Sequence, residues 1–329
     1  MELGKLEILA DRLLAKIRKR PGHEYNPVSL AKSIKANKDE IFSAVTILKR
    51  LGYSIKTDHN KKLVFVSAPD RLFEEEILHR LKTKMIGRKV YAYQSVQSTN
   101  TIAHQLALSK TPEGTIVVAE KQTKGRGRMG RQWHSPEKIG IYLSIVLYPG
   151  IDPKRAPGLS LISAVALAET IKALSIKDVR IKWPNDVLIG GKKTAGILTE
   201  LSAEIGRTHH VVIGIGVNVN QRASDIPEDL KDKATSLRIA QRKAVSRIDF
   251  LKEFLVRFEN EYNRFKKSGL RGIRKKILAY SSLLGKEIEV QSGSGKIAGK
   301  ALDIDNEGHL IIETDKGKVT LSAGEVTLH

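Results

Sequence analysis

The central segment of the chain reads Gln122-Thr-Lys-Gly-Arg-Gly-Arg-Met-Gly-Arg-Gln-Trp133. It alternates glycines with cations and ends in a large aromatic ring that could stack on a base. Because glycine adopts positive φ readily, we expect the glycines to bring backbone N–H groups close to an anion and the cations to neutralise its phosphate oxygens. These residues are Gly125, Gly127, Gly130, Lys124, Arg126, Arg128 and Arg131.

A run rich in glycine and arginine is also typical of a disordered tail that binds nucleic acid. The flanking sequence favours a folded loop instead. An apolar, strand-like stretch at Thr115–Ala119 precedes the run, and a second stretch at Ile139–Leu147 follows it. Short apolar stretches of this kind predict buried strands, so the segment is predicted to be a loop inside a folded domain.

The chain has 329 residues, of which 41% are hydrophobic, and it contains no cysteine. This length exceeds what one hydrophobic core usually holds, so we expect two or three domains. The lack of cysteine excludes thiolate catalysis, thiolate metal sites and disulfides. We find no N-terminal signal-peptide pattern and no run of about 18 apolar residues, which predicts a soluble cytoplasmic protein without a membrane span.

The net charge is +21, and it is distributed unevenly along the chain. Residues 1–70 carry 14 basic and 8 acidic side chains, and residues 285–329 carry 5 and 8, so most of the excess lies in the middle. A basic middle suits a polyanionic substrate, an acidic protein partner or DNA. Charge alone does not choose among these three.

Residues 1–68 are predicted to form a winged helix-turn-helix domain. Apolar residues at helical spacing predict helices over residues 4–20, 28–34 and 41–51. Two strand-like stretches, Tyr53–Lys56 and Leu63–Val66, then predict a hairpin that would form the wing. In such a domain the third helix enters the major groove of DNA. The candidate DNA contacts are Lys38, Ser43, Lys49 and Arg50 around helix 3, and Lys61 and Lys62 in the wing.

A small helical domain used for protein contacts is the alternative. Helix 3 opens with Asp39 and Glu40, which would face DNA phosphates unfavourably unless they read cytosine or cap the helix. Acidic side chains in a first turn ordinarily stabilise the helix dipole. The sequence therefore leaves DNA binding open.

The rest of the chain divides into three parts. Residues 69–90 are predicted to be a linker helix, and residues 91–284 form the central domain. From residue 285 to 329 the pattern changes to short strands separated by glycine-containing turns, which predicts a small β-barrel. A piece of this size cannot bury much apolar surface alone, so we expect it to pack on its neighbour.

Two further segments of the central domain present polar groups at the start of a helix or the end of a strand. Ser98-Thr-Asn100 opens a helical run and on its own indicates only a helix cap. Lys182-Trp-Pro-Asn-Asp186 follows a strand-like stretch. There Asp186 could hold a magnesium ion, and Asn185 a phosphate or a metal-bound water.

Two more segments combine small residues with one polar side chain. Lys193, in Gly190-Gly-Lys-Lys-Thr-Ala-Gly-Ile197, is placed where it could reach a phosphate or a carboxylate, although most lysines serve only solubility. Val211–Asn220 is an apolar strand in which Gly214 and Gly216 allow close approach and Asn218 offers an amide. Each segment alone has an ordinary structural explanation.

Together, the five segments in this order resemble the biotin protein ligase family, and with the N-terminal domain they resemble its members that are also biotin operon repressors. The resemblance runs through almost the whole chain. It implies a multidomain α+β fold, with an N-terminal winged helix-turn-helix, a central class II synthetase-like α/β ligase domain and a C-terminal SH3-like β-barrel.

The same resemblance implies two half-reactions. Biotin and ATP, with Mg²⁺, give biotinyl-5′-AMP and pyrophosphate, and a lysine of the biotin carboxyl carrier protein of acetyl-CoA carboxylase then takes the biotinyl group. It also implies a homodimer in the adenylate-bound state and binding to biotin operator DNA, with biotinyl-AMP as corepressor.

The resemblance assigns residues to three roles. Those expected to act in catalysis are Lys193, Arg126 and Arg128. Those expected to bind biotin are Ser98, Thr99, Asn100, Gln122, Gly125, Arg126, Arg128, Lys193 and Gly196. Those expected to bind ATP or the adenylate are Arg128, Arg131, Trp133, Lys182, Asn185 and Asn218, with Asp186 near Mg²⁺.

Two alternatives stay open at this point. A lipoate-type ligase has a similar fold and similar two-step chemistry, although the Gly-Arg-Gly-Arg-x-Gly-Arg loop followed by tryptophan matches the biotin pattern. The second alternative is a ligase whose winged helix does not bind DNA.

Overall fold

The computed structural model describes residues 2–204, 207–292 and 295–328. The chain divides into two compact units, which we call the small unit, up to Asp70, and the large unit, from Arg71 onward. Each unit has its own apolar core.

The small unit contains three helices and a three-stranded antiparallel sheet in its described part. The sheet has the order β1-β3-β2. Apolar side chains from the three helices and the hairpin form the core, as their spacing predicts. The elements are α1 (Glu2–Ile17), β1 (Glu24–Tyr25), α2 (Pro27–Ile34), α3 (Lys38–Arg50), β2 (Ser54–Thr57) and β3 (Leu63–Ser67).

Helix α3 begins with a capping box. Asn37 Oδ1 accepts a hydrogen bond from the Glu40 backbone N–H at 2.9 Å, and the Glu40 carboxylate accepts from the Asn37 N–H at 2.8 Å. The hydrogen bond from the Asn37 backbone lowers the pKa of Glu40 below its ordinary value. The structure therefore gives Glu40 the capping role that the sequence left open.

The predicted linker helix over 69–90 is wrong in extent. Only α4 (Glu74–Leu78) is helical, and the chain leaves the helix at Arg80, whose φ is 56°. Beyond it, the carboxylate of Glu259 accepts hydrogen bonds from three consecutive backbone N–H groups, those of residues 84–86, at 2.7–2.8 Å. A buried carboxylate that satisfies three backbone donors favours an irregular segment over a helix.

The large unit is built on a seven-stranded mixed sheet in the order β4-β5-β6-β10-β9-β8-β7, in which only the β4–β5 pair is parallel. The strands are β4 (Val90–Tyr93), β5 (Ile116–Ala119), β6 (Gly140–Leu147), β7 (Val179–Lys182), β8 (Asp186–Ile189), β9 (Lys192–Glu204) and β10 (Arg207–Asn218). The helices are α5 (Thr99–Leu108), α6 (Pro157–Ala173), α7 (Leu237–Gln241), α8 (Arg247–Ser268) and α9 (Arg274–Tyr280).

Helices cover both faces of this sheet. On one face α5 packs on β5, β6 and β10 through a small apolar cluster that includes Ala103 and Val212. On the other face α6 lies against the sheet and against α8. Among the described residues, the stretch Pro153–Ala173 has the length and composition of a membrane-spanning helix, but 78% of its window is buried inside the protein. Such burial is typical of a core helix.

The C-terminal strands form an antiparallel sheet in the order β14-β13-β12-β11-β15. Its apolar residues, such as Ile288 and Leu310, join the main core, so this piece packs on its neighbour as expected. Trp183 Nε1 donates to the Gly308 carbonyl at 2.9 Å and ties the β7–β8 turn to this sheet. The strands are β11 (Glu287–Ser292), β12 (Gly295–Ile304), β13 (Leu310–Thr314), β14 (Gly317–Leu321) and β15 (Glu325–Leu328).

Candidate active site

A cavity of about 540 Å³ opens on the sheet of the large unit. This volume suits a small-molecule ligand. Its walls come from the glycine- and arginine-rich loop, the β7–β8 turn, β9, β10, the segment after β10 and the start of β15. With the exception of Gly125, every residue that the sequence proposes for biotin, ATP or metal binding lines this cavity.

The loop folds back on itself as an irregular hairpin. The N–H of Gly127 donates to the Arg131 carbonyl at 2.7 Å, and the N–H of Trp133 donates to the Gly125 carbonyl at 2.9 Å. Met129 and Gly130 turn the chain with φ of 55° and 73°. The loop is thus pre-formed, with an exposed methionine at its tip.

The expectation of positive φ holds for one of the three glycines. Gly130 adopts it, whereas Gly125 and Gly127 do not. Gly125 is needed for space instead, because a Cβ there would lie 2.5 Å from the Trp133 carbonyl oxygen and 2.7 Å from Ser135 Oγ. A glycine is therefore required at position 125 because the two arms of the loop pack closely, and not because the backbone there has a positive φ.

A buried polar network occupies one end of the cavity. Gln122 Oε1 accepts from both the backbone N–H and the hydroxyl of Thr99, at 2.9 and 3.1 Å. Ser144 Oγ bridges Thr99 Oγ1 and Asn100 Oδ1 at 2.8 and 2.5 Å. Ser98 precedes α5, but its hydroxyl makes no capping hydrogen bond. Donors and acceptors are therefore held in fixed positions beside an uncommitted hydroxyl, as recognition of a polar ring requires.

Alternate glycines on β10 make room for two of these side chains. A Cβ on Gly214 would lie 2.2 Å from Asn100 Oδ1, and a Cβ on Gly216 would lie 2.4 Å from the Trp133 indole. Both glycines face the same side of the strand, because side chains alternate along it. Asn100 and Trp133 therefore lie at successive positions along one face of β10, and we call these positions the Asn100 end and the Trp133 end of the cavity.

Cations converge between these two ends. Lys193 Nζ pairs with Asp186 Oδ1 at 2.7 Å and lies 5.5 Å from the centre of the Trp133 ring. Arg128 Nη1 donates to Asn185 Oδ1 at 2.9 Å, and burial lowers the pKa of its guanidinium, an effect that nearby Asp186 partly opposes. Two buried or half-buried cations facing one carboxylate form a site for an additional anion.

Two carboxylates outside the loop anchor it. Glu200 on β9 accepts hydrogen bonds from Arg126 at 3.1 Å and from Asn100 at 2.6 Å. Glu325, at the start of β15, pairs with Arg131. That hydrogen bond lowers the pKa of Glu325 and raises the pKa of Arg131. The loop is therefore tied to the main sheet on one arm and to the C-terminal sheet on the other.

The comparisons with known proteins agree with this geometry. Residues 92–218 match the model of the Biotin/lipoate A/B protein ligase family, and residues 283–328 match the Biotin protein ligase C terminal domain. The chain is 38% identical over 299 residues to the Bifunctional ligase/repressor BirA of Bacillus spizizenii, covering 91% of this chain and 92% of that protein. This chain belongs to the biotin protein ligase family.

Two further similarities support the assignment. The Biotin--[acetyl-CoA-carboxylase] ligase of Mycobacterium tuberculosis is 31% identical over 257 residues, which is 75% of this chain and 93% of that one. The structure of Biotin protein ligase from Aquifex aeolicus in complex with biotin and ATP matches with a TM-score of 0.64 and 34% identity, covering 74% of this chain and 99% of that chain. The chain is a biotin–protein ligase.

Sequence reasoning missed several polar residues of this site, and four of them hydrogen-bond to or pair with residues that it proposed. Ser144, Glu200, Gln221 and Glu325 either line the cavity or hold residues that do. Ser144 and Glu200 lie within strands whose apolar pattern hides them. Glu325 is distant in sequence, so only the packing of the C-terminal sheet brings it close. Of these four residues, Gln221 is the one that the sequence could have revealed, because it lies three residues after Asn218, which is part of a recognised segment.

A metal ion has few candidate ligands here. The described residues contain no group of three or more histidine, aspartate or glutamate side chains arranged to hold a metal. Asp186 is already paired with Lys193, and both ends of the Asn185 amide are engaged, one with Arg128 and one with the Ile197 carbonyl at 2.8 Å. This donor set offers Mg²⁺ few protein ligands, so it fits an ion that takes most of its oxygen ligands from outside the protein.

The proposed DNA contacts belong to the small unit, whereas the residues that line the cavity belong to the large unit. Lys38, Ser43, Lys49 and Arg50 are exposed on α3, and Lys61 is exposed at the hairpin turn. Lys62 is different, because its ammonium pairs with Glu24 at 2.8 Å, which raises its pKa. Lys62 is therefore less available to a phosphate than its neighbour.

Proposed function

We propose that the ligase activates biotin with ATP to biotinyl-5′-AMP, and then transfers biotin to a lysine of the biotin carboxyl carrier protein of acetyl-CoA carboxylase. The observation that carries the proposal is the convergence of Lys193 and Arg128 between the Asn100 end and the Trp133 end of one cavity. The Aquifex aeolicus relative, described in complex with biotin and ATP, supports both substrates. The name of the Mycobacterium tuberculosis relative supports the acceptor.

In the first step an oxygen of the biotin carboxylate attacks the α-phosphorus of ATP, and the bond to pyrophosphate breaks. Two anions must approach each other, so the reaction needs cations that relieve repulsion and stabilise the in-line transition state. Lys193 and Arg128 supply this charge from strand β9 and the loop. Asp186 holds the Lys193 ammonium at 2.7 Å and so fixes its position before the substrates bind.

The polar network around Asn100 suits the ureido ring of biotin, which offers one carbonyl acceptor and two N–H donors. Ser98 and Thr99 present hydroxyls there, and Gln122 fixes the start of α5. Arg126 and the Gly125 backbone stand at the loop side, where the biotin carboxylate would meet Lys193 beside Gly196. A Cβ on Gly196 would lie 3.1 Å from Lys193 Cε, so a side chain there would crowd the lysine.

The other end of the cavity suits the adenylate. Trp133 offers a ring face, and Arg131 and Lys182 stand near Glu325, whose pKa both lower. Asn185 holds Arg128, and Asn218 offers an amide at the end of β10. Asp186 would hold Mg²⁺, and that ion would supply positive charge to offset the charge of the phosphates.

In the second step the neutral amine of the carrier lysine attacks the biotinyl carbonyl, loses a proton and releases AMP. The mixed anhydride is hydrolysed when water reaches it, so the loop must close over it until the carrier arrives. The ties of the loop to Glu200 and Glu325 support such a lid, since they hold both arms near the cavity.

Biotin-dependent release of pyrophosphate tests the first step. We expect ATP-dependent release with biotin and none with lipoate or octanoate, because the loop and the Asn100 network match a ureido ring rather than a dithiolane or an alkyl chain. Equal release with lipoate would instead support the lipoate-type alternative.

A second candidate function is repression of biotin genes, with biotinyl-AMP as corepressor. The small unit supports it through the arrangement of three helices and a hairpin, with exposed cations on α3. The relative from Bacillus spizizenii is named as a bifunctional ligase and repressor, and the match covers 92% of its length. In this proposal the adenylate promotes a homodimer, and two winged helices then bind an inverted repeat of operator DNA.

A mobility shift on the promoter of the biotin genes tests repression. We expect binding that requires both biotin and ATP and that is lost in the double variant Lys49→Glu/Arg50→Glu. The matched control is Lys110→Glu, an exposed lysine of the large unit. If the protein keeps its ligase activity but causes no mobility shift with or without biotin and ATP, the small unit does not bind this DNA.

A further inference from the structure

The side chain of Gln221 is a buried amide in the wall of the cavity. It is 2% exposed, and it lies three residues beyond the end of β10. Its Oε1 atom is buried and accepts no hydrogen bond from any described protein group. A buried acceptor without a donor costs free energy unless a ligand or a water supplies one.

The neighbouring hydrogen bonds fix which way this amide points. Asn218 Nδ2 donates to the backbone carbonyl of Thr235 at 3.1 Å, and a carbonyl can only accept. Asn218 Oδ1 therefore faces Gln221 and accepts from its Nε2 at 3.2 Å. The Oε1 atom is the end that remains, so the unpartnered atom of this cavity-lining side chain is an acceptor and not a donor.

The backbone around Gln221 is held in place. The buried hydroxyl of Ser236 donates to the Gln221 carbonyl at 2.7 Å and also accepts from the N–H of Ile239 at the start of α7. The N–H of Thr235 donates to the Lys193 carbonyl at 2.9 Å. The acceptor thus has a fixed position relative to Lys193, which is what discrimination between ligands requires.

The surroundings of this acceptor suit a flat aromatic ring. Asn218 stands two residues beyond Gly216 on the same face of β10, and Gly216 lies under the Trp133 indole. The segment after β10 contributes apolar side chains to the same cavity, namely Ile226, Pro227 and Leu230. A ring that stacks on Trp133 would present its edge toward Asn218 and Gln221.

We propose that Gln221 Oε1 accepts a hydrogen bond from the exocyclic 6-amino group of adenine, and so selects ATP over purine nucleotides that lack this donor. The proposal rests on the proposed function, because it places the nucleotide at the Trp133 end of the cavity. Guanine and hypoxanthine carry an oxygen at position 6, which would face Oε1 as a second acceptor. Purine without a 6-substituent would leave Oε1 unpaired.

The experiment compares ATP with purine riboside 5′-triphosphate, which has hydrogen in place of the 6-amino group. In the parent protein we expect kcat/KM for biotin-dependent pyrophosphate release to fall about 10- to 100-fold with the analogue, the range for a buried acceptor left unsatisfied. Equal kcat/KM for the two nucleotides in the parent would overturn the proposal without any variant.

Two variants separate recognition from structure. The Gln221→Leu variant should use ATP and the analogue about equally, because the protein then has no acceptor for the 6-amino group of ATP. Gln105→Leu, an exposed glutamine of α5 outside the cavity, should keep the parent ratio. If Gln221→Leu keeps the full preference for ATP, the amide acts only within the fold and the proposal is wrong.

A binding measurement keeps this test independent of the ligase chemistry. Calorimetry with AMP and with purine riboside 5′-monophosphate needs no biotin and no turnover. We expect AMP to bind the parent about tenfold or more tightly, and Gln221→Leu to remove the difference. If pyrophosphate release were absent but this difference remained, the proposed function would fail while the role of Gln221 would stand.

Discussion

Lys193 is the residue on which the chemistry of the site depends most. Because its ammonium is held by Asp186 at 2.7 Å inside the cavity, we expect Lys193→Ala to lower biotin-dependent pyrophosphate release by about 10²- to 10³-fold. The fold should survive, since the side chain is only partly buried. Steady-state kinetics and thermal unfolding measure the two effects.

Lys192→Ala is the matched control, because its ammonium turns away and donates to the Lys231 carbonyl at 3.0 Å. This variant should keep nearly full activity. Undiminished release in Lys193→Ala would remove that lysine from the catalytic set.

The two glycines of β10 allow a test of the division of the cavity into two ends. A methyl group at Gly214 would collide with Asn100, and one at Gly216 would collide with the Trp133 indole. We expect Gly214→Ala to raise the KM for biotin and Gly216→Ala to raise the KM for ATP, each by about tenfold, because overpacking displaces the side chain that contacts the substrate.

Each glycine variant serves as the control for the other. The assignment of the ends would be wrong if both variants raised the same KM, or if the two effects were exchanged.

At the scale of single residues, the sequence predicted which residues line the cavity better than it predicted their contacts with one another. Asn185 is expected from the sequence to hold a phosphate or a metal-bound water, and in the structure its amide is hydrogen-bonded to Arg128 and to the Ile197 carbonyl. The sequence pattern of the loop includes Trp133. It does not show why residue 216 is a glycine, which becomes clear only from the contact between β10 and the Trp133 indole. Contacts of this kind depend on tertiary packing, which local patterns do not encode.

Among the elements, the loop is the part whose behaviour depends on distant anchors. Glu325→Gln removes the charge that pairs with Arg131, so the arm next to Trp133 should loosen. We expect faster cleavage of the ligand-free loop by trypsin, roughly a few-fold because an exposed ion pair contributes little. Mass spectrometry of the fragments would locate the cut.

Glu313→Gln is the control for this variant, since Glu313 lies exposed on β13 of the same sheet. It should be cleaved at the parent rate. Unchanged cleavage in Glu325→Gln would mean that the Glu325–Arg131 pair does not hold the loop.

The anchor on β9 should respond to pH. Hydrogen bonds from His104 and Asn100, together with the positive charge of Arg126, lower the pKa of Glu200 from its ordinary value of 4.5. A carboxyl with a lowered folded-state pKa stabilises the fold fully above its unfolded pKa, and the contribution disappears as pH falls through the folded value. The free energy lost in Glu200→Gln should therefore be larger at about pH 7 than at about pH 3.

Urea unfolding at several pH values measures this difference. Glu204→Gln on the same strand is the control, because Glu204 is exposed and pairs with His209. A loss in Glu200→Gln that is independent of pH would contradict the role of its charge.

Secondary structure was predictable where hydrophobic periodicity was strong. The strands on either side of the loop, the three helices of the small unit and β10 lie where the pattern predicts them. The linker helix was overextended, because the apolar spacing after Leu78 also suits an irregular segment held by Glu259. β15 is too short for its pattern to mark it as a separate strand, yet it carries Glu325 to the cavity.

For the whole molecule, the two compact units predict separable activities. Every residue that lines the cavity belongs to the large unit, which has its own core. We expect residues 71–329 alone to keep biotin-dependent pyrophosphate release and to lose binding to the biotin promoter. Loss of release in a truncated protein that is folded by circular dichroism would show that the small unit supports catalysis.

The central claim is that this cavity makes biotinyl-5′-AMP and passes biotin to a carrier lysine. The most direct measurement is transfer of labelled biotin to a purified biotin carrier domain, with and without MgATP, beside the same assay with lipoate. The account predicts labelling of the carrier by biotin only, and only with MgATP. Labelling by lipoate, or no labelling with MgATP present, would contradict it.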